Sequence, residues 1–281
     1  MTHKRTPDDV TILPRDYHFD MESAKKGYWL DGDPVATAVF NCLSLTFPGG
    51  ERMFMDAVRA YRSEVSPKLA KDVKDFIAQE AIHSREHHLL NELIDREKYP
   101  VAEVEAEISE RIAFGRSRGS MGMLISTICL EHFTAMMADM MDDHDTLFSK
   151  TEKPIADMWR WHAMEECEHK AVAYDVYLEV TKDWPPHRRY MRRCIAMALI
   201  TYHFTRNIAG YAASFLEADG YTPQEAKRAV KKFLWKQPGL FGKGWKVWIS
   251  WFKPGFHPWD HDNRALVESW RAEFDAAVPA E

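Results

Sequence analysis

Trp161-His162-Ala163-Met164-Glu165-Glu166-Cys167-Glu168-His169 is the stretch on which the reading of this chain turns. Wound as an α-helix, it brings His162, Glu166 and His169 onto one stripe at i, i+4 and i+7. The stripe continues through Ile155, Met158 and Trp159 before it and Val172, Ala173 and Val176 after it, so its polar centre lies on the face a helix buries. A buried carboxylate between two imidazoles costs on the order of several kcal/mol unless something compensates it, and a cation is a common remedy. Taken alone, the stretch reads equally as a satisfied polar patch in a core and as half of a metal site.

The other half lies upstream. Ser66-Pro67 has the N-cap and first-turn proline signature of a helix running to about residue 97. The apolar stripe of that helix, Val73, Phe76, Ile77 and Leu90, carries Glu80, His83 and His87 in its middle. Before it, an apolar run over residues 35–47 meets Pro48-Gly49-Gly50, which predicts a break or kink just ahead of Glu51. Met55 and Val58 continue the stripe from Glu51, so this carboxylate also faces inward. Ser120 offers an N-cap for a helix over about 121–141, whose apolar side, from Met123 through Thr127 and Ile128 to Ala138, holds one carboxylate, Glu131. His132 is rotated about 100° from it and falls at the helix flank.

The helix bearing the opening stretch is expected from about 154 to 181, where Trp184-Pro185-Pro186 stops it. Further helices are expected over 101–114, followed by a loop around Gly115 to Gly119, over 187–218, over 223–235 behind the capping box Thr222-Pro223-Gln224-Glu225, and over 262–277. The predicted fold is all-α. An extended arm over 1–33 precedes a four-helix bundle over 34–181, and C-terminal helices over 182–281 pack on that bundle within one structural domain. Strand alternation, a repeat of fixed period and nucleotide-binding glycine patterns are all missing from the sequence.

Glu51, then Glu80 with His83, then Glu131, then Glu166 with His169, each on a separate helix, reproduce a pattern of bundle metal sites: one Glu from each of two helices and Glu-x-x-His from each of the other two. Two divalent ions balance the charge of four carboxylates, so such a site can be neutral when buried. Mixed oxygen and imidazole ligation suits iron or manganese, and the lack of thiolate in the set argues against structural zinc or an Fe-S cluster.

This order and spacing resemble the ferritin-like di-iron carboxylate superfamily over residues 34–181. His162-x-x-x-Glu166-x-x-His169 is similar to the last helix of the p-aminobenzoate N-oxygenase type, which adds a third histidine. Phe47-Pro48-Gly49-Gly50-Glu51, Gln79-Glu80-Ala81-Ile82-His83-Ser84-Arg85-Glu86-His87, Glu131-His132 and Phe256-His257-Pro258-Trp259 resemble a bacterial family catalogued as predicted metal-dependent hydrolases. The resemblance implies a ferritin-like bundle with seven ligands, Glu51, Glu80, His83, Glu131, His162, Glu166 and His169, holding two iron ions, with manganese as an alternative. It implies an enzyme that activates O2 to oxidise a small organic substrate by N-oxygenation, hydroxylation or desaturation, with an external electron donor. A hydrolase using metal-activated water and a non-catalytic iron-binding protein are the alternatives. His87 departs from the N-oxygenase pattern and is expected to support a ligand rather than be one. Glu165 and Glu168 fall off the stripe and are expected to be solvated or to support the ligands. Asp139 and Asp175, near the ends of ligand helices, read as orienting carboxylates or as surface charges.

Composition agrees with an ordinary globular chain: 281 residues, 46% hydrophobic and 28% charged. A net charge of −6 gives no reason to propose nucleic acid as a partner. Cys42, Cys129, Cys167 and Cys194 are isolated and read as reduced core residues, and residues 1–9 carry no apolar run behind their basic residues, so a cytoplasmic location is expected. The apolar run over 194–216 is interrupted by His203, Arg206 and Asn207 and is too polar for a confident membrane span. The aromatic segment from Trp245 to Trp259 could lie at a membrane interface or a homodimer contact, with covering of the core the favoured reading.

Overall fold

The structure is a computed structural model that describes residues 6–24, 27–139, 141, 147–236 and 239–277. The described residues are helical with no strand. In chain order the helices are α1 (Pro34–Arg59), α2 (Pro67–Asn91), α3 (Val101–Ser117), α4 (Gly119–Asp139), α5 (Lys153–His169), α6 (Val172–Val180), α7 (Pro186–Ala218), α8 (Pro223–Trp235), α9 (Trp245–Ser250) and α10 (Arg264–Ala277). Four of them close a ring: α1 packs on α2, α2 on α5, α5 on α4, and α4 back on α1. Helix α7 lies against α1 and α4, α8 lies on α7, and α10 lies on α5. Residues 6–24 and 27–33 run over this bundle with one 3-10 turn, Met21–Ser23.

Helix α1 corrects the expected break at Pro48. It runs unbroken through Pro48-Gly49-Gly50. Proline removes the amide that would bond the carbonyl four residues back, here that of Ser44. The carbonyl of Ser44 is instead met by the Asn91 side chain, whose Nδ2 donates to it at 3.2 Å. Gly49 has a different reason to be there: a Cβ at this position would sit 2.5 Å from Cδ1 of Ile112, so its absence lets α3 approach α1.

Other boundaries shift for equally local reasons. The loop expected around Gly115 to Gly119 shrinks to Arg118 alone, because α3 continues to Ser117 and Gly119 turns the chain at φ +73°. Helix α2 ends at Asn91 rather than near residue 97. The helix expected over 154–181 is interrupted at Lys170-Ala171. Lys170 is buried there, and its ammonium donates to the His261 carbonyl at 2.7 Å and to Asn263 Oδ1 at 2.6 Å while lying 4.0 Å over the Trp259 ring. The capping box at Thr222 and Glu225 forms as read.

Helix α4 is long and apolar enough to cross a membrane by length and composition, but 67% of that window is buried inside the bundle. Its apolar character is that of a core helix wrapped by α1, α3, α5 and α7. The aromatic tail covers α4: Trp251 and Phe256 are buried, His132 sits against both rings, and Trp245 and Ile249 stay exposed. Arg193 ties the tail down by donating to the carbonyls of Trp251 and Lys253. None of the four cysteines is in a disulfide.

Candidate metal centre

The four ring helices deliver their polar residues to one place. Glu51 comes from α1, Glu80, His83 and His87 from α2, Glu131 from α4, and His162, Glu166 and His169 from α5, all at most 4% exposed. Their ligand atoms fall into overlapping groups within 4.8 Å: Glu51, Glu80 and His83; Glu80, Glu131 and His169; His83, His162 and Glu166; and Glu51, His87 and His162. Glu166 Oε1 is the hub, 2.8 Å from His162 Nε2, 3.5 Å from His169 Nε2 and 3.7 Å from His83 Nδ1. His169 Nε2 also lies 3.4 Å from both Glu80 Oε1 and Glu131 Oε2.

The cage is rich in acceptors and poor in donors. Glu51 Oε1, both oxygens of Glu80, both of Glu131, Glu166 Oε2, His83 Nδ1 and His169 Nε2 are buried without a hydrogen-bond partner. Buried polar groups in proteins are ordinarily paired, so this concentration of unpaired atoms in one place marks a site built for positive charge. Burial, reinforced by neighbouring carboxylates, pushes Glu51, Glu80 and Glu131 well above the ordinary carboxylate range. Burial acts the same way on Glu166, yet the adjacent His169 and His162 overcome it and hold that carboxyl well below the ordinary range. Burial also pushes His83 and His87 well below the ordinary imidazole range, which leaves both rings neutral. Side chains of this kind, acceptors facing one another across a dry space, fit divalent cations.

The outward nitrogens of two of these rings are held by Glu165, for which support of a ligand was one of two expectations, and by Gln79, which the sequence did not single out. His83 Nε2 meets Glu165 Oε2 at 3.0 Å, leaving Nδ1 toward the cage. His169 Nδ1 meets Gln79 Oε1 at 3.0 Å. The orientation of that amide is fixed, because Gln79 Nε2 donates to the Leu13 carbonyl and to Glu168 Oε2, so Oε1 accepts the Nδ1 proton and His169 Nε2 is left as the inward lone pair. Ser84 donates its hydroxyl to Glu51 Oε2 at 2.7 Å.

Solvation of Glu165 and Glu168, one of the two expectations for them, is overturned. Both are buried, because α5 is enclosed around its whole circumference from Trp161 to His169. Arg15 from the N-terminal segment reaches Glu165 Oε1 at 3.1 Å and Glu168 Oε1 at 3.0 Å, and Arg271 from α10 reaches Glu168 Oε1 at 2.6 Å. Burial and the Glu168 charge push Glu165 up to about 8 against the pull of Arg15. Arg15→Ala is expected to lower stability by about 2–3 kcal/mol, less than a fully buried pair because Arg271 still holds Glu168. Thermal melts of wild type and variant check this, and an unchanged midpoint would show that the clamp contributes nothing.

Asp175 lies outside the cage. It accepts from Thr6 N and Oγ1 and faces His257 Nε2 at 3.1 Å, so it joins the N-terminal segment to the Phe-His-Pro-Trp tail instead of orienting a ligand. The side chain of Asp139 lies outside the described residues. His132, expected at the flank, is buried away from the cage with Nε2 3.3 Å from the Val247 carbonyl, and burial lowers its pKa to about 3.

An all-α bundle closed around buried Glu/His groups able to hold metal defines a helical metal-binding protein. The chain belongs to the family described as predicted metal-dependent hydrolase, which it matches over residues 13–262. No curated protein and no solved structure matches it significantly.

Proposed function

We propose that the cage holds two divalent ions, iron or alternatively manganese, and that the protein uses them to activate O2 for oxidation of a small organic substrate. The donor set carries this reading: four buried carboxylates and three imidazoles, no thiolate, in overlapping groups joined through Glu51, Glu80, His83 and His162, with Glu166 Oε1 within 3.7 Å of His83 and 3.5 Å of His169. Glu131 and His169 would serve one ion, Glu51, His83 and His162 the other, with Glu80 and Glu166 between them. When bound, reduced iron supplies the electrons and open coordination for O2 that protein side chains lack.

The chain's own residues neutralise, orient and exclude water. The four carboxylates balance the ionic charge, and Glu165 and Gln79 fix two imidazoles. A narrow apolar cleft with free room on the scale of a water molecule, walled by Leu43, Phe47, Met137, Met141 and Trp159 among others, reaches His162 and Glu166. Among the described residues lining it, Glu166 is the only carboxylate and His162 the only imidazole, so it suits O2 rather than an ionic substrate. An external electron donor completes the proposal.

Hydrolysis is the second reading, favoured by the family description. Against it, the cleft offers one hydroxyl, Thr134, and that hydroxyl is given to the Glu131 carbonyl. Apart from Thr134, His162, Glu166 and the Trp159 indole, the described residues lining the cleft are apolar. Anaerobic loading of the full chain with Fe(II), metal counting and rapid mixing with O2 separate the two. Two irons per chain and an O2-dependent optical change are expected, with both lost or altered in His162→Ala. A loaded protein that ignores O2 and turns over an ester anaerobically would establish hydrolysis instead.

A further inference from the structure

Pro48 leaves the Ser44 carbonyl without its helical donor, and the Asn91 amide fills the gap. A carbonyl only accepts, so Nδ2 of Asn91 must face it, and Oδ1 must face the Ser44 hydroxyl 2.6 Å away. That hydroxyl has one proton and donates it to Asn91. Its contact with His87 Nδ1 at 2.9 Å therefore runs the other way, with the imidazole donating. A neutral His87 protonated on Nδ1 presents a lone pair at Nε2, and 2.6 Å from it lies His162 Nδ1.

We propose that Asn91, Ser44 and His87 form a positioning relay that keeps the proton of His162 on Nδ1 and so leaves Nε2 as its metal-facing atom. The proposal rests on the metal reading of the cage. His87 shares a possible ligand group with Glu51 and His162, but in this relay its Nε2 is committed to the His162 proton and it is not itself a ligand. His162 Nε2 meets Glu166 Oε1 at 2.8 Å and lies 3.9 Å from Glu51 Oε1, on the cage side of the ring. Reversal of the relay would be harmful. With His87 protonated on Nε2 instead, His162 Nδ1 becomes the acceptor and its proton moves to Nε2, where it blocks a cation. Phe47 and Trp159 pack against His87, and Phe47 also packs against His162, so neither ring can swing away to another partner without opening a void.

The test is histidine-selective ¹⁵N NMR on the full chain, metal-free and with Zn(II), comparing wild type, Ser44→Ala and His87→Leu, with thermal melts to show that each is folded. In wild type, His87 and His162 are expected to be protonated on Nδ1 in the metal-free protein, and His162 to keep that proton when Zn(II) binds. Ser44→Ala touches no ligand, yet it should mix the tautomers of both rings and weaken Zn(II) binding by roughly 10–100-fold. His87→Leu should release the His162 tautomer in the same way. Unchanged tautomers in folded Ser44→Ala, or direct Zn(II) coordination by His87 Nε2, would overturn the relay. A wild-type protein that takes up no Zn(II), Mn(II) or Fe(II) overturns the metal reading, while the tautomer comparison still decides the relay.

Discussion

Metal-free protein is expected to lose stability as pH rises from about 6.5 to about 8, and a divalent cation is expected to reverse that slope. Glu51, Glu80 and Glu131 are held well above the ordinary range by burial and mutual repulsion, whereas the unfolded chain titrates them near about 4.3. Above that pH the folded state carries protons that the unfolded state has released, so each further unit of pH favours unfolding. Glu165, pushed up to about 8, acts in the same direction. Glu166 acts oppositely, but its lowered pKa makes its contribution complete above the unfolded value and flat across this window. His83, His87 and His132, held below the ordinary imidazole range by burial, oppose the slope only up to about 6.5, where the unfolded chain has released their protons too. A cation replaces the protons, so binding releases them and tightens with pH. At a concentration 100 times Kd the stabilisation is about 2.7 kcal/mol per site, or a midpoint rise of about 5–10 °C for a chain of this size. Melts across pH with chelator and with Mn(II) measure both slopes. A chelated protein whose stability climbs toward pH 8, with no response to cation, would refute the charge assignment of the cage.

Much of the cage was legible because its residues obey helical spacing. Glu80 with His83 and Glu166 with His169 sit on stripes that are otherwise apolar, and the structure brings them together with Glu51, Glu131 and His162. The all-α architecture followed from the same periodicity. Pro48 misled because proline predicts a break from local geometry alone, and the compensation at Ser44 comes from Asn91, 47 residues away. No single-helix pattern contains that information.

The residues that support the cage were hidden for a related reason. Gln79 and Arg15 act across helices or from a segment without regular structure, where spacing carries no signal, and for Glu165, read as solvated or supporting, the spacing did not name His83 as the ring it holds. One clue was available. Trp161, Met164 and Cys167 lie off the ligand stripe of α5 yet are apolar, which says that the C-terminal half of this helix has no solvent face and that Glu165 and Glu168 must find partners inside. The break at Lys170 was not legible, since the contacts that accompany it come from His261, Asn263 and Trp259.

Glu80→Gln is expected to have opposite effects on the two forms of the protein. Glu80 belongs to two of the overlapping groups, and after burial its raised pKa comes from Glu131, Glu166, Glu51 and Glu165 in turn. In the metal-free protein it is a centre of repulsion, so a neutral amide of the same shape should raise the melting midpoint near pH 8, where ionisation costs most. In the loaded protein the same oxygens are shared between the two halves of the cage, and the amide should cut the count to one ion per chain or fewer. The cation-dependent rise in midpoint should fall by at least half. An ordinary core residue would show destabilisation in both forms, and a surface residue would show neither effect. Opposite signs with and without metal are therefore a signature of a charge held in the core for a cation. If Glu80→Gln retains two ions and melts below wild type with chelator present, the cage is structural polarity and the metal lies elsewhere.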